Sequence, residues 1–250
     1  MYRLTCRGAG LSAFTARVKE TDLWVLAEKD LTARTVEIVL HLRRALELYI
    51  ADHPLFLTSL VPLPDDPLAP PLAQAMLTAG RLAGTGPMAA VAGAIAQEVA
   101  QRLQAASPRV AVENGGDLYL ATGQDLTVGL AAGESPLSGR LGLVVPAGEM
   151  PLALGTSSGT VGHSLSLGRA DAATILAKDG ALADAAATAL GNRLARAEDL
   201  APALEWAAGV PGVLGAVAVF GEHLAAWGRV NLVELGSGAP PPRKPGKRRK

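Results

Sequence analysis

A single cysteine, Cys6, in 250 residues excludes an intramolecular disulfide framework. It reads as a small apolar residue on an N-terminal strand. There is no clustering of cysteine and histidine with metal-ligand spacing, so a zinc site is not expected. A Walker loop and a strand-linked GxGxxG are also absent, which removes two common nucleotide-binding designs. No apolar run is long enough to span a bilayer, and the opening MYRLTCRGAGLS lacks the apolar centre of a signal peptide. A cytoplasmic protein without membrane partners is the expectation. Aromatic residues are only 4% of the chain, so large rings cannot dominate its core.

What is present is apolar, small and unevenly charged. Hydrophobic residues make up 49%, with abundant alanine and 28 glycines, which suits closely packed backbones. The formal net charge is zero, but Arg243, Lys244, Lys247, Arg248, Arg249 and Lys250 are clustered at one end. Without those six, 17 basic residues stand against 23 acidic ones. The expected organisation is one domain over 1–236 and a disordered basic Pro/Gly tail over 237–250. The tail lacks interleaved aromatics and the body is mildly acidic, so nucleic acid is not an expected partner.

Alternation and turn residues predict short strands over 2–7, 14–19 and 22–27, then a long amphipathic helix over 31–50. The proline-rich stretch 55–71 reads as a connecting loop. Helices are predicted over 72–80, 89–103, 181–190 and 201–208, and strands over 110–112, 118–121, 126–131, 140–145, 152–155 and 172–177. Residues 213–220 and 224–235 read as a terminal hairpin. Strands and helices occur in groups rather than in βαβ alternation, which indicates α+β with antiparallel sheets. The order is also compatible with an internal duplication: strand group, helices, strand group, twice.

Candidate chemistry concentrates in GTSSGTVGHSLSLGRADAATILAKDGALADAAATALGN, residues 155–192. Asp184 and Thr188 are four apart on an alanine-rich helix and so share one face, one turn apart. They can aim two hard oxygens at one point, as a small divalent cation requires. A plainer reading is a salt-bridged carboxylate and a hydroxyl bonded to its own backbone. However, the helix carries no basic residue before Arg193, and a buried lone carboxylate is costly. Thr156, Gly159 and Thr160 lie in a hydroxyl- and glycine-rich loop whose N–H groups could hold phosphate oxygens. Ser157, Ser158 and His163 are candidates to position phosphate or an acceptor. Asn114, Gly115, Gly116 and Asp117 form a hairpin-turn sequence whose glycines would also admit a planar ring or phosphate. Gly86 and Met88 belong to a loop-to-helix junction, GTGPM.

Three segments together carry a resemblance. GTGPMAAVAGAIA (84–96), VENGGD (112–117) and LADAAATAL (182–190) resemble the three blocks of the ApbE-like superfamily. VKETDLW (18–24), SPLS (135–138) and TSSGTVGHSLS (156–166) resemble its uncharacterised cytoplasmic branch, and the similarity spans roughly residues 2–235. The resemblance implies a T-fold-like α+β domain, a flavin nucleotide ligand and Mg²⁺. Enzymes of the superfamily, the FAD:protein FMN transferases, attach FMN from FAD to a threonine of a partner protein. Their metal-holding acid and hydroxyl match Asp184 and Thr188, and a main-chain oxygen matches the region of Met88 and Ala89. Their NxGGD turn, beside the flavin, matches Asn114 to Asp117. Two departures stand out. The family's A-K-G-like lysine run is Val91-Ala92-Gly93 here, and its H-x-I-D-P-x-T-G run has only His163, with no Asp-Pro after it.

The leading expectation is therefore Mg²⁺-dependent binding or transfer of a flavin nucleotide, FAD or FMN, with a protein acceptor. The alternative is a non-catalytic small-ligand-binding protein that has lost transfer. A third reading is a structural subunit that docks through its basic tail. A homo-oligomer is compatible with each.

Overall fold

The computed structural model describes residues 10–158 and 168–235. The predicted strand over 2–7, the residues Gly159, Thr160 and His163, and the tail lie outside the described residues.

Two short strands open the described chain, β1 (Ser12–Val18) and β2 (Thr21–Ala27). Helix α1 (Thr32–Asp52) follows, burying Thr35, Ile38, Val39, Leu42 and Leu46 at the spacing of one helical face. The proline-rich stretch is not wholly irregular, because a four-residue helix, α2 (Leu55–Thr58), anchors it through Phe56. Helix α3 (Pro71–Ala83) starts on proline, whose missing N–H is not needed there, and stops at Gly84 with φ 73°. A 3-10 turn, Pro87–Ala90, leads into α4 (Val91–Leu103), so the predicted helix over 89–103 is split at its first turn.

Strands β3 (Val110–Asn114) and β4 (Asp117–Ala121) are joined by Gly115 and Gly116, both at positive φ, as a two-residue hairpin turn demands. Then come β5 (Leu126–Gly129), β6 (Leu141–Val145), β7 (Leu152–Ser157) and β8 (Ala172–Ala177). Helix α5 (Gly180–Asn192) is capped by Asp179, whose side chain accepts from the Leu182 N–H at 2.7 Å. Helix α6 (Leu200–Ala208) and strands β9 (Val213–Phe220), β10 (His223–Gly228) and β11 (Leu232–Glu234) complete the chain. Sequence reading ran the last two strands together. Gly228, at φ 79°, ends β10 there, and β11 leaves to pair with β6.

The strands form an antiparallel eight-stranded sheet, in order β1-β2-β3-β4-β7-β8-β9-β10, and a three-stranded sheet, β11-β6-β5. The large sheet contains the same arrangement twice. A hairpin, a helical excursion and a second hairpin give β1-β2-β3-β4, and again β7-β8-β9-β10, joined through β4 and β7. The expected duplication is thus a repeat of topology, with β5 and β6 inserted between its halves.

Both faces of the sheet are covered. Leu23, Val25, Val112, Tyr119, Ala153, Ala173 and Ile175 point into the core beneath the helices. Their strand neighbours Leu26, Ala111, Leu118, Leu120, Leu152, Leu154 and Leu176 point into a second core against the small sheet. This explains why β3, β8 and most of β4 are buried at every position rather than at alternate ones.

Alanine and glycine let α5 approach the sheet at backbone distance. A Cβ added to Gly155 on β7 would stand 2.2 Å from the Ala183 carbonyl oxygen. The helices cross as tightly, since a Cβ on Gly93 would lie 2.1 Å from the Gly180 carbonyl oxygen. Among the described residues no helix is long and apolar enough to cross a membrane.

Candidate functional site

The start of α4, the middle of α5 and the tip of the β3–β4 hairpin converge on the helical side of the sheet. The Gly93–Gly180 crossing brings them together and places Asp184 beside the first turn of α4. The Gly93 N–H donates to Asp184 Oδ2 at 2.9 Å, and the Ala92 N–H donates to the same carboxylate. Ala90, at the N-cap position of α4, supplies no capping side chain, so a residue of another helix does so. The Asn114 side-chain amide donates to the Ala92 carbonyl at 3.0 Å and ties the hairpin tip to the same turn. Asp117 points to this face too, and its Oδ1 accepts from the Thr156 N–H at 3.2 Å.

Two carboxylates therefore share one low-dielectric corner. Burial pushes Asp184 up to about 7, against the opposing pull of the Gly93 and Ala92 N–H groups. Asp117 is also pushed well above the usual carboxylate range, first by burial and then by the negative charge of Asp184, with Glu113 adding to it. Among the described residues no lysine, arginine or histidine forms a salt bridge with either. Each carboxyl therefore holds its proton more tightly than an exposed one.

The donor set is one of hard oxygens. Asp184 and Thr188 lie one turn apart on the part of α5 that stays partly exposed. Met88 and Ala89, on the 3-10 turn packed against α5, are partly exposed. No group of three or more His, Cys, Asp or Glu side chains is arranged to hold a metal among the described residues. Mg²⁺ is commonly held by one or two carboxylates with water or phosphate completing the shell, and Asp184 with Thr188 are the side chains that could take that part.

The other residues singled out from the sequence are placed differently. Gly86 is buried, and a Cβ there would stand 1.8 Å from the Ser59 carbonyl oxygen, so its smallness serves packing. Thr156 turns its hydroxyl to the opposite face of the sheet, where it lies 3.1 Å from the Thr174 hydroxyl; only its N–H reaches this corner, through Asp117. The reason is strand alternation: Gly155 and Ser157 face α5, so Thr156 cannot. Ser157 is buried against Gly191, and Ser158 is partly exposed at the end of β7. Gly115 is exposed at the hairpin tip and Gly116 is buried.

Sequence reading did not identify the N–H groups of Ala92 and Gly93 as donors to the site; a glycine inside a helix, which marks a close approach of backbones, was the available signal. A cavity of about 530 Å³ lies elsewhere, between α3, the start of α5 and the turn before β9. Gln74, Thr78, Asp179, Leu182 and Gly212 line it, and its carboxylate, Asp179, is already engaged in capping α5.

An α+β scaffold with a duplicated antiparallel unit, carrying a hydroxyl–carboxylate pair on a buried helix and an Asn-Gly-Gly-Asp hairpin, defines an ApbE-like protein. The chain belongs to the family described as AbpE bacteria, which matches residues 4–209. It is 40% identical over 215 residues to a UPF0280 protein of Methanocella arvoryzae, covering 86% of this chain and 87% of that protein. It is 43% identical over 178 residues to a UPF0280 protein of Methanocaldococcus jannaschii, covering 70% and 72%. Among solved structures it is similar to the ApbE protein of Thermotoga maritima, with TM-score 0.55 and 14% identity over 86% of this chain and 96% of that one. The apo flavinyl transferase ApbE of Pseudomonas stutzeri gives TM-score 0.53 and 15% identity over 87% and 94%. At that identity the likeness concerns the fold.

Proposed function

We propose that the corner formed by Asp184, Thr188 and the start of α4 binds a flavin nucleotide or related diphosphate through Mg²⁺. The observation that supports this is the pair of buried carboxyls, Asp117 and Asp184, on one corner, with no salt bridge to either among the described residues. When bound, the metal would supply positive charge to phosphate oxygens and to a leaving group. Asp184 and Thr188 would hold the ion, helped by the Ala89 carbonyl. The Ala92 and Gly93 N–H groups fix the orientation of Asp184 before any ligand arrives, and Asn114 fixes the turn that carries them. Asp117, beside Asp184, would add negative charge only as it gives up the proton that burial makes it hold. In a transfer reaction a threonine hydroxyl of a protein acceptor would attack the FMN phosphorus of FAD, forming the phosphoester as the diphosphate P–O bond breaks, with AMP leaving and the hydroxyl proton passing to solvent.

The test is a titration of the full chain with FAD, with and without Mg²⁺, followed by flavin fluorescence. Magnesium-dependent binding that is lost in Asp184→Asn and weakened in Thr188→Val supports the reading. An Asp184→Asn chain that keeps full Mg²⁺ and FAD affinity would sink it.

Binding without transfer is the second reading, and one observation favours it. The family's lysine run is Val91-Ala92-Gly93 here, with alanine at the lysine position, so this turn of α4 offers N–H groups and no amine. Turnover of FAD with a threonine-containing acceptor would decide against it.

A further inference from the structure

Helices α4 and α5 cap each other. The Gly93 N–H, at the start of α4, donates to Asp184 Oδ2 on α5 at 2.9 Å. In return the Gly180 N–H, the first donor of α5, donates to Gln97 Oε1 on α4. Gly93 and Gln97 are four apart on α4, and Gly180 and Asp184 are four apart on α5. Each pair therefore shares one face of its helix. The two bonds bracket the crossing, where a Cβ on Gly180 would lie 2.5 Å from the Gly93 carbonyl oxygen and 3.1 Å from Gln97 Cβ. Asp179 does not duplicate the role of Gln97, because its side chain is bonded to the Leu182 N–H. Contact between glycines fixes how closely two helices approach, but it leaves them free to slide or pivot. A pair of bonds one turn apart removes that freedom. One of the two ends on the carboxylate of the candidate metal corner, and the other ends on Gln97.

We propose that Gln97 is a positioning residue for the metal corner. By holding the first N–H of α5, it fixes where Asp184 and Thr188 stand relative to the start of α4. This rests on the reading of the Asp184 corner as a Mg²⁺ site, and it adds the residue that sets the geometry of that site. Gln97 acts through the register of α5 rather than on the ion. Mg²⁺ demands near-octahedral geometry with short bonds, whereas Ca²⁺ accepts longer and less regular ones. Loss of the clamp therefore costs Mg²⁺ much more than Ca²⁺. A residue that only held the fold together would leave the balance between the two cations unchanged.

The experiment titrates the full chain with Mg²⁺ alone or Ca²⁺ alone at pH 8, by calorimetry, in the unaltered protein, Gln97→Met, Gln97→Glu and Gln101→Met. Gln97→Met keeps the approximate shape and removes the acceptor. Gln97→Glu keeps an acceptor oxygen at the same reach. Gln101 lies one turn further along α4, and its amide donates to the Tyr119 hydroxyl at 3.4 Å, so Gln101→Met perturbs α4 at a bond to the sheet. The expected result in Gln97→Met is a loss of about tenfold in Mg²⁺ affinity and of less than about threefold in Ca²⁺ affinity. Gln97→Glu should restore the balance and Gln101→Met should keep it. If Gln97→Met fails to fold, Gln97→Asn, one methylene shorter, reads the same effect. Unchanged Mg²⁺ affinity in Gln97→Met, an equal loss of both cations, or the same loss in Gln101→Met overturns the role of Gln97 while leaving the metal corner standing. An unaltered chain that binds neither cation refutes the Mg²⁺ reading of the corner, and the inference falls with it.

Discussion

Replacing Asp184 by asparagine should flatten the pH dependence of folding stability and abolish the response to Mg²⁺. In the unfolded chain Asp184 ionises near 3.8; in the folded chain it does so near 7. The folded state therefore holds the proton over a range where the unfolded state has lost it. Stability from this group is complete below about pH 4, falls as the pH rises toward 7, and changes no further above that. Each pKa unit corresponds to about 1.4 kcal/mol, so the part between pH 5.5 and 7 is about 2 kcal/mol. For a chain of this size that is a melting-temperature drop of about 4–8 °C between pH 5.5 and pH 8. Asp117 is shifted in the same direction and adds to the drop. In Asp184→Asn the carboxamide oxygen can still accept from α4, but it carries no charge. Its melting temperature should fall much less over the same range. At pH 8, millimolar Mg²⁺ should raise the melting temperature of the unaltered chain and leave the variant unmoved. The assay is differential scanning calorimetry at four pH values, with and without Mg²⁺. A slope of the opposite sign in the unaltered chain, or the same slope and Mg²⁺ response in the variant, refutes the electrostatic account of the corner.

Gly93→Ala should destabilise the fold by more than about 3 kcal/mol, because a Cβ 2.1 Å from the Gly180 carbonyl oxygen forces α4 and α5 apart. Urea unfolding measures this, and a loss under about 1 kcal/mol would contradict the packing described. Gly155→Ala meets the Ala183 carbonyl oxygen at 2.2 Å and should behave alike. Asn114→Ala removes the amide bond to Ala92 and should cost about 1–2 kcal/mol in denaturant unfolding, together with weaker nucleotide binding. Thr188→Val should reduce Mg²⁺-dependent FAD affinity about tenfold while moving the melting temperature by no more than about 2 °C, since the hydroxyl lies on the partly exposed line of α5. An unchanged affinity by calorimetry would remove Thr188 from the metal shell.

The sequence by itself determined most elements and one face of the site. Periodicity located α1, the proline-rich stretch bounded the start of α3, whose end was expected at Gly80 and lies at Ala83, and the Asn-Gly-Gly-Asp run specified a hairpin. The spacing of Asp184 and Thr188 placed them on one face because helical geometry is local and repeats every few residues. The Thr156 hydroxyl was misread because the face a strand residue takes depends on register with its neighbours, which no single strand reveals. Only the tertiary structure decided that Asp117 meets Asp184 across 67 residues of chain, and that the cap of α4 comes from α5. It also decided that the two hairpin-and-helix units join edge to edge into one sheet. Those facts depend on how closely two backbones approach. At Gly93, Gly155 and Gly180 that approach is set by the absence of a side chain, whose meaning appears only once the partner backbone is in place.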